Sequence, residues 1–307
     1  MKIIFLGTPD FSAHVLKALI DSRHEVVGIV TQPDKPCGRG HKLMPSPVKV
    51  LAEANSIPVY QFNRISKECA PLKDLNADIM VTAAYGQILR QNVLDLTPKG
   101  VINVHASLLP KYRGSSPIQW CIIKGETQTG VTIMKTDIGV DTGDMILSKS
   151  LTIGETETAG ELFDRLSVLG KDALLEALDL IEEGKETYTK QDESKMSHYP
   201  MLDKDSGKID FNMTSRDIVN LCRGLNPWPI AFVSLNENDR LKVYKASKVD
   251  IDSNAKVGTV LASDSKNGLI VKCSDGAVSL DIIQTAGTKA MPAKDYLRGR
   301  KLQISNL

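Results

Sequence analysis

An α/β chain of two domains is the fold class the sequence predicts: a doubly wound, mostly parallel sheet followed by a small β-barrel. Three observations carry this. Short apolar runs of β type, Lys2–Leu6, Glu25–Thr31, Asp78–Ala84 and Val101–Val104, alternate with helical patterns, the rhythm of strands joined by crossover helices. A polar stretch, 188–206, then interrupts the pattern. Beyond it, β-rich segments near 230–235, 240–246, 257–263, 269–273 and 277–284 follow one another between turn residues, which suggests a small barrel of the oligonucleotide-binding kind. The expected division is a first domain 1–187, a linker 188–206 and a β domain 207–307.

Composition narrows the class. At 307 residues the chain is long enough for two cores, and its 42% hydrophobic content is ordinary for a water-exposed globular protein. No window holds ~18 uninterrupted apolar residues, so no membrane span is expected. The opening MKIIFLGT is too short for a signal-peptide core and reads as a first strand; a cytoplasmic protein is the expectation. The five cysteines, Cys37, Cys69, Cys121, Cys222 and Cys273, form no C-x-x-C pair, so reduced, mostly buried thiols are expected rather than a disulfide framework or zinc site. Residues 1–205 carry 23 Lys and Arg against 27 Asp and Glu, whereas residues 206–307 carry 15 against 10. A basic last third hints at a polyanionic partner. No heptads or obvious interface stripe argue for an oligomer, and a monomer is expected.

Taken in order, strand one ends at Gly7, and Phe11, Val15, Leu16 and Leu19 then follow at helical spacing. The turn between them, Gly7-Thr8-Pro9-Asp10, lacks G-x-G-x-x-G, which excludes a dinucleotide bound there. Gln32–Pro47, QPDKPCGRGHKLMPSP, holds four prolines and two glycines and bears Lys35, Arg39, His41 and Lys42 against one acid, Asp34. It is expected to carry little regular structure and to act as a basic arm for phosphates. Ser46-Pro47 reads as a helix start, with Ser as cap and Pro in the first turn. Later, Ser116-Pro117 opens a short helix to Ile123. Gly130–Lys135 and Met145–Ile153 read as strands. Thr158–Glu183 is a long amphipathic helix whose leucines face a core.

Candidate chemistry concentrates in Val101–Trp120, VINVHASLLPKYRGSSPIQW. Asn103 and His105 are two apart, so in a strand they point to one side. An amide N–H can hold a developing oxyanion, and an imidazole can move a proton near neutral pH. A third group must orient the imidazole, and the acidic loop Asp137–Asp144, DIGVDTGD, is where it is expected. Spacing alone does not choose among Asp137, Asp141 and Asp144. A lone histidine beside a strand is more often structural than catalytic; the pair, followed by Ser107-Leu108-Leu109-Pro110 and then this loop, is a stronger signal.

Residues 103–114, NVHASLLPKYRG, together with DIGVDTGD resemble the catalytic core of the folate-dependent formyltransferases. FLGTPDFS, the arm and RGLNPWPIAF extend the resemblance over nearly the whole chain. It implies a Rossmann-like catalytic domain and 10-formyltetrahydrofolate as formyl donor, with no metal. Asn103, His105 and Asp141 would form the catalytic trio, with Asp137 left as a turn cap and Asp144 as loop support. Ser107, Leu108, Leu109 and Pro110 would lie at the folate. The arm and basic β domain imply the branch of the family whose acceptor is initiator methionyl-tRNA, with Lys35, Arg39 and Lys42 toward the tRNA. One departure is Phe211, where the pattern has Trp after Ile209-Asp210. The competing expectations are a relative acting on a small amine, a nucleotide sugar or water, and a tRNA-binding protein with an idle folate site.

Overall fold

The computed structural model describes residues 1–37, 42–235, 239–251, 253–299 and 302. The chain forms two compact units. The first comprises 1–114, 129–151 and 163–198; the second comprises 115–128, 152–162 and 199–307.

The first unit is built on a seven-stranded sheet. Its strands are β1 (Lys2–Gly7), β2 (Glu25–Thr31), β5 (Val59–Gln61), β6 (Ile79–Ala83), β7 (Val101–His105), β8 (Gln128–Lys135) and β9 (Met145–Thr152), with β3 (Lys35–Cys37) and β4 (Lys42–Met44) forming a separate ribbon. The order is β9-β8-β7-β6-β1-β2-β5. The pairs β1–β2, β1–β6, β2–β5 and β6–β7 are parallel, and β7–β8 is antiparallel. Ile3, Ile4, Phe5, Leu6, Ile79, Met80 and Val81 are fully buried. Strands covered on both faces read as continuous apolar runs, and that is why the sequence made them visible. The order reverses beside β1, so the carboxyl ends of β1, β6 and β7 open onto the crevice where such sheets take ligands.

Helices cover the sheet as the spacing predicts. α1 (Asp10–Ile20) buries Phe11, Val15, Leu16 and Leu19. α2 (Pro47–Ala54) starts at Ser46, whose hydroxyl accepts from the Lys49 amide, with Pro47 in the first turn. The long helix Ala159–Glu183 buries Leu166, Leu174, Leu178 and Ile181. At Gly170 it approaches the sheet so closely that an added Cβ would lie 3.4 Å from Val104. Ile102 and Val104 therefore face this helix, and Asn103 and His105 face the other layer.

Two segments differ from expectation. The arm is not irregular at its base: β3 and β4 pair antiparallel, with Pro36 opposite Leu43. A two-stranded ribbon leaves outward-facing positions that need no N–H, so proline is tolerated there. At its foot, Lys49 bonds both Asp34 and Gln61, and Gln61 in turn donates to Asp34. The second difference is the polar stretch expected as a linker. Through residue 198 it belongs to the first unit, and Thr189 exchanges two 2.8 Å backbone bonds with Met145.

The second unit holds an antiparallel sheet in the order Ala231–Ser234, Arg240–Val249, Gly276–Gln284, Gly268–Cys273 and Val260–Asp264, with Met291–Pro292 paired to Gly276–Gln284. Helix Ser215–Gly224, capped by Thr214, lies in the same core as these strands. The helix Pro117–Ile123 joins this unit because Trp120 and Ile123 pack against that core. The segment 152–162 joins it through Arg223, which donates to the Gly154 and Glu157 carbonyls, and through the Gly160 amide, which donates to Asn226. Phe211 is 4% exposed and is a core side chain. The thiols of Cys69, Cys121, Cys222 and Cys273 are free and buried, and burial pushes that of Cys222 up to about 12. Among the described residues no helix is long and apolar enough to cross a membrane.

Candidate active site

Asn103 and His105 close the carboxyl end of β7, opposite Met134 and Thr132 of β8. The structure brings Asp141 to both. Its Oδ1 lies 3.7 Å from His105 Nδ1 and 3.5 Å from Asn103 Nδ2, and its Oδ2 accepts a 2.8 Å bond from the Gly114 amide. His105 is 6% exposed and Asn103 half-buried, so the cluster sits at the edge of solvent where a ligand can reach it.

At 3.7 Å the Asp141 carboxylate is beyond hydrogen-bond distance of Nδ1. The imidazole's hydrogen bond is to the Tyr112 carbonyl, 2.9 Å from Nε2. A carbonyl can only accept, so Nε2 carries a hydrogen. In the neutral ring Nδ1 then keeps its lone pair, on the side of Asp141. A base is thus presented toward the crevice, with a carboxylate placed to meet the cation formed when Nδ1 takes a proton.

Short-range chemistry shapes the acidic loop. Asp137 Oδ1 accepts from the Gly139 amide and the Thr142 hydroxyl, the turn-capping role expected of it. Asp141 has φ 55°, a left-handed conformation that Asp tolerates better than most residues. Gly143 is required by close approach: a Cβ there would collide with the Lys135 carbonyl. The loop aspartates form no group with metal-ligand spacing among the described residues; the group that has it is His24, Asp179 and Glu182, where both carboxylates already pair with Arg23.

The other candidate residues fare unequally. Ser107 is fully buried and donates to the Lys111 carbonyl, and Leu109 is buried as well. Leu108 and Pro110 are partly exposed, so this segment offers a ligand those two side chains, while the Leu109 amide and the Ser107 carbonyl are already bonded to Thr132. Lys35 is exposed on the ribbon. Lys42 stands in β4, and Arg39 lies outside the described residues. Sequence reasoning missed Gln191, in the polar stretch. Its Nε2 donates 2.8 Å bonds to the Asp141 and Gly143 carbonyls, and its Oε1 accepts from Nε and Nη2 of Arg113. Arg113 also grips Glu193, whose carboxyl it holds below the usual range through these hydrogen bonds. Arg113 lay inside the quoted motif; nothing in the sequence marked Gln191.

Two family models cover the chain: formyl transferase over residues 1–178, and formyl transferase, C-terminal domain, over 201–301. The chain belongs to the formyl transferase family. Among its relatives, the methionyl-tRNA formyltransferase of Geobacter metallireducens is 45% identical over 305 residues, covering 99% of this chain and 97% of its own. That of Clostridioides difficile is also 45% identical, covering 99% and 98%. Among solved structures, the N-formyltransferase of Helicobacter canadensis, in complex with folinic acid and dTDP-3-aminofucose, superposes with a TM-score of 0.67 over 91% of this chain and 98% of its own. At 19% identity that likeness is one of fold.

Proposed function

We propose that the chain transfers the formyl group of 10-formyltetrahydrofolate to the α-amino group of initiator methionyl-tRNA. The observation that carries this reading is the convergence of Asn103, the bare Nδ1 of His105 and Asp141 at the carboxyl end of one buried strand. Its acceptor is taken from full-length relatives at 45% identity. The sugar N-formyltransferases among the solved structures are 19–21% identical, a likeness of fold.

The chemistry needs these residue types. An unperturbed α-amino group has a pKa of ~7.7–8.0, so much of it must lose a proton before it attacks. As its nitrogen bonds to the formyl carbon, the carbonyl electron pair moves onto oxygen. Asn103 donates to that oxygen. His105 Nδ1 takes the amine's proton, and the imidazolium then lies beside the Asp141 carboxylate. Two unit charges about 4 Å apart attract by roughly 4 kcal/mol at an effective dielectric of about 20. When the intermediate collapses, the bond from carbon to the folate nitrogen breaks, and Nδ1–H returns the proton to that leaving nitrogen. The donor would lie along Ser107–Pro110, and Lys35, Arg39 and Lys42 would meet tRNA phosphates. The chain would act as a monomer in the cytoplasm; light scattering should return a monomer mass.

The deciding experiment incubates the protein with labelled formyl-folate and charged tRNA. Acid-stable N-formylmethionine on the tRNA is the expected product; label released to water or to a small amine instead would assign one of the alternatives. Salt gives an independent check. Each phosphate neutralised by the arm or β domain should add a slope of about −0.7 to −0.9 to log K against log salt. A flat response would remove the polyanion from this reading.

A further inference from the structure

We propose that Gln191 and Arg113 are positioning residues that set the distance between Asp141 and His105; this rests on the catalytic reading of those two residues given above. The tripeptide Tyr112-Arg113-Gly114 acts as the reference for both reacting groups. The Tyr112 carbonyl holds His105 Nε2, and the Gly114 amide holds Asp141 Oδ2. Between them, the Arg113 side chain reaches Gln191, and Gln191 bonds the backbone on either side of Thr142 at Asp141 and Gly143. The tripeptide is itself anchored: the Tyr112 amide donates to Ser197 Oγ and the Arg113 amide to the Ser197 carbonyl.

The hydrogen-bond count gives the arrangement its specificity. A glutamine amide offers two N–H donors and one oxygen with two lone pairs. Gln191 uses all four, two toward the loop carbonyls and two from the guanidinium. Arg113 is 4% exposed and Gln191 is 9% exposed, so water does not substitute easily for these bonds. Among the described residues the Asp141 side chain is otherwise held by the Gly114 amide and the 3.5 Å contact with Asn103, and its loop neighbours Ile138 and Val140 are exposed. Gln191 therefore supplies much of what keeps the carboxylate at 3.7 Å from Nδ1. Only an amide does this: glutamate would keep Arg113 but turn two donors into two repulsions against carbonyl oxygens.

The test is a double-mutant cycle with a structural readout beside it. Gln191→Met should lower the single-turnover formylation rate by about 100-fold, the effect of a misplacement near 1 Å, with KM for charged tRNA unchanged. On an Asp141→Asn background the same substitution should cost no further rate, because residues acting through one another are non-additive. Gln191→Glu should behave likewise and carries the test if the Met variant does not fold. In both variants, hydrogen exchange should lose protection across 137–144 and keep it in β1 and β6. An equal loss of rate on both backgrounds, or full rate with unchanged exchange, would overturn the proposal. Should the parent protein transfer no formyl group while Gln191→Met still exposes 137–144, the clamp stands and the formyl-transfer reading falls.

Discussion

His105→Asn should lower turnover by about a hundred- to ten-thousandfold, the range for removal of a positioned general base, the role proposed for it. The imidazole is buried; among the described residues its hydrogen bond is to the Tyr112 carbonyl, and its other nitrogen lies toward Asp141. The loss should therefore fall on the proton-transfer step rather than on folate or tRNA affinity. Rapid-quench measurement of one turnover, with the thermal melt recorded alongside, separates the two. A variant with normal turnover would leave His105 as a structural histidine satisfied by a carbonyl.

Asn103→Ala should lower turnover by about a hundred- to a thousandfold, the usual cost of one lost oxyanion donor, the role proposed for it. Its Nδ2 has one weak contact, 3.5 Å from Asp141, and no other hydrogen bond among the described residues. An amide committed so loosely at the end of a buried strand is free to donate elsewhere. Asn103→Asp discriminates further. It keeps the shape of the side chain but places a second negative charge beside Asp141 and the developing oxyanion, so it should be no better than alanine. If either variant turned over at the parent rate with a melt unchanged, the oxyanion would have to be held by another donor.

The two predictions come from different sources. That Asn103 and His105 share a side followed from a two-residue spacing in a strand, and the register of β7 against β8 agrees. Which nitrogen of His105 faces the chemistry did not follow from any spacing. It depends on a carbonyl seven residues away in the chain, and a backbone carbonyl is the same in every residue, so no letter of the sequence announces it.

The same contrast runs through the molecule. Ser46-Pro47, the helix Ala159–Glu183 and the Asp137 turn were legible because their causes are local: a hydroxyl three residues from an amide, a 3.6-residue period, a carboxylate two residues from a glycine amide. The paired base of the arm was not, since its prolines argue against regular structure and only the partner strand makes their positions acceptable. Nor was the polar stretch holding Gln191. Its side chains look solvated until Arg113, far away in the chain, is placed against them.

The sequence by itself thus determined the buried strands and the long helices, and through its resemblance the family and the three groups proposed to react, because apolar periodicity and motif chemistry are written in neighbours along the chain. Only the tertiary structure decided the tautomer of His105, the anchor of Asp141 and the clamp behind it. Those depend on hydrogen bonds between residues up to about eighty positions apart, and such a bond leaves no periodic trace in either segment that makes it.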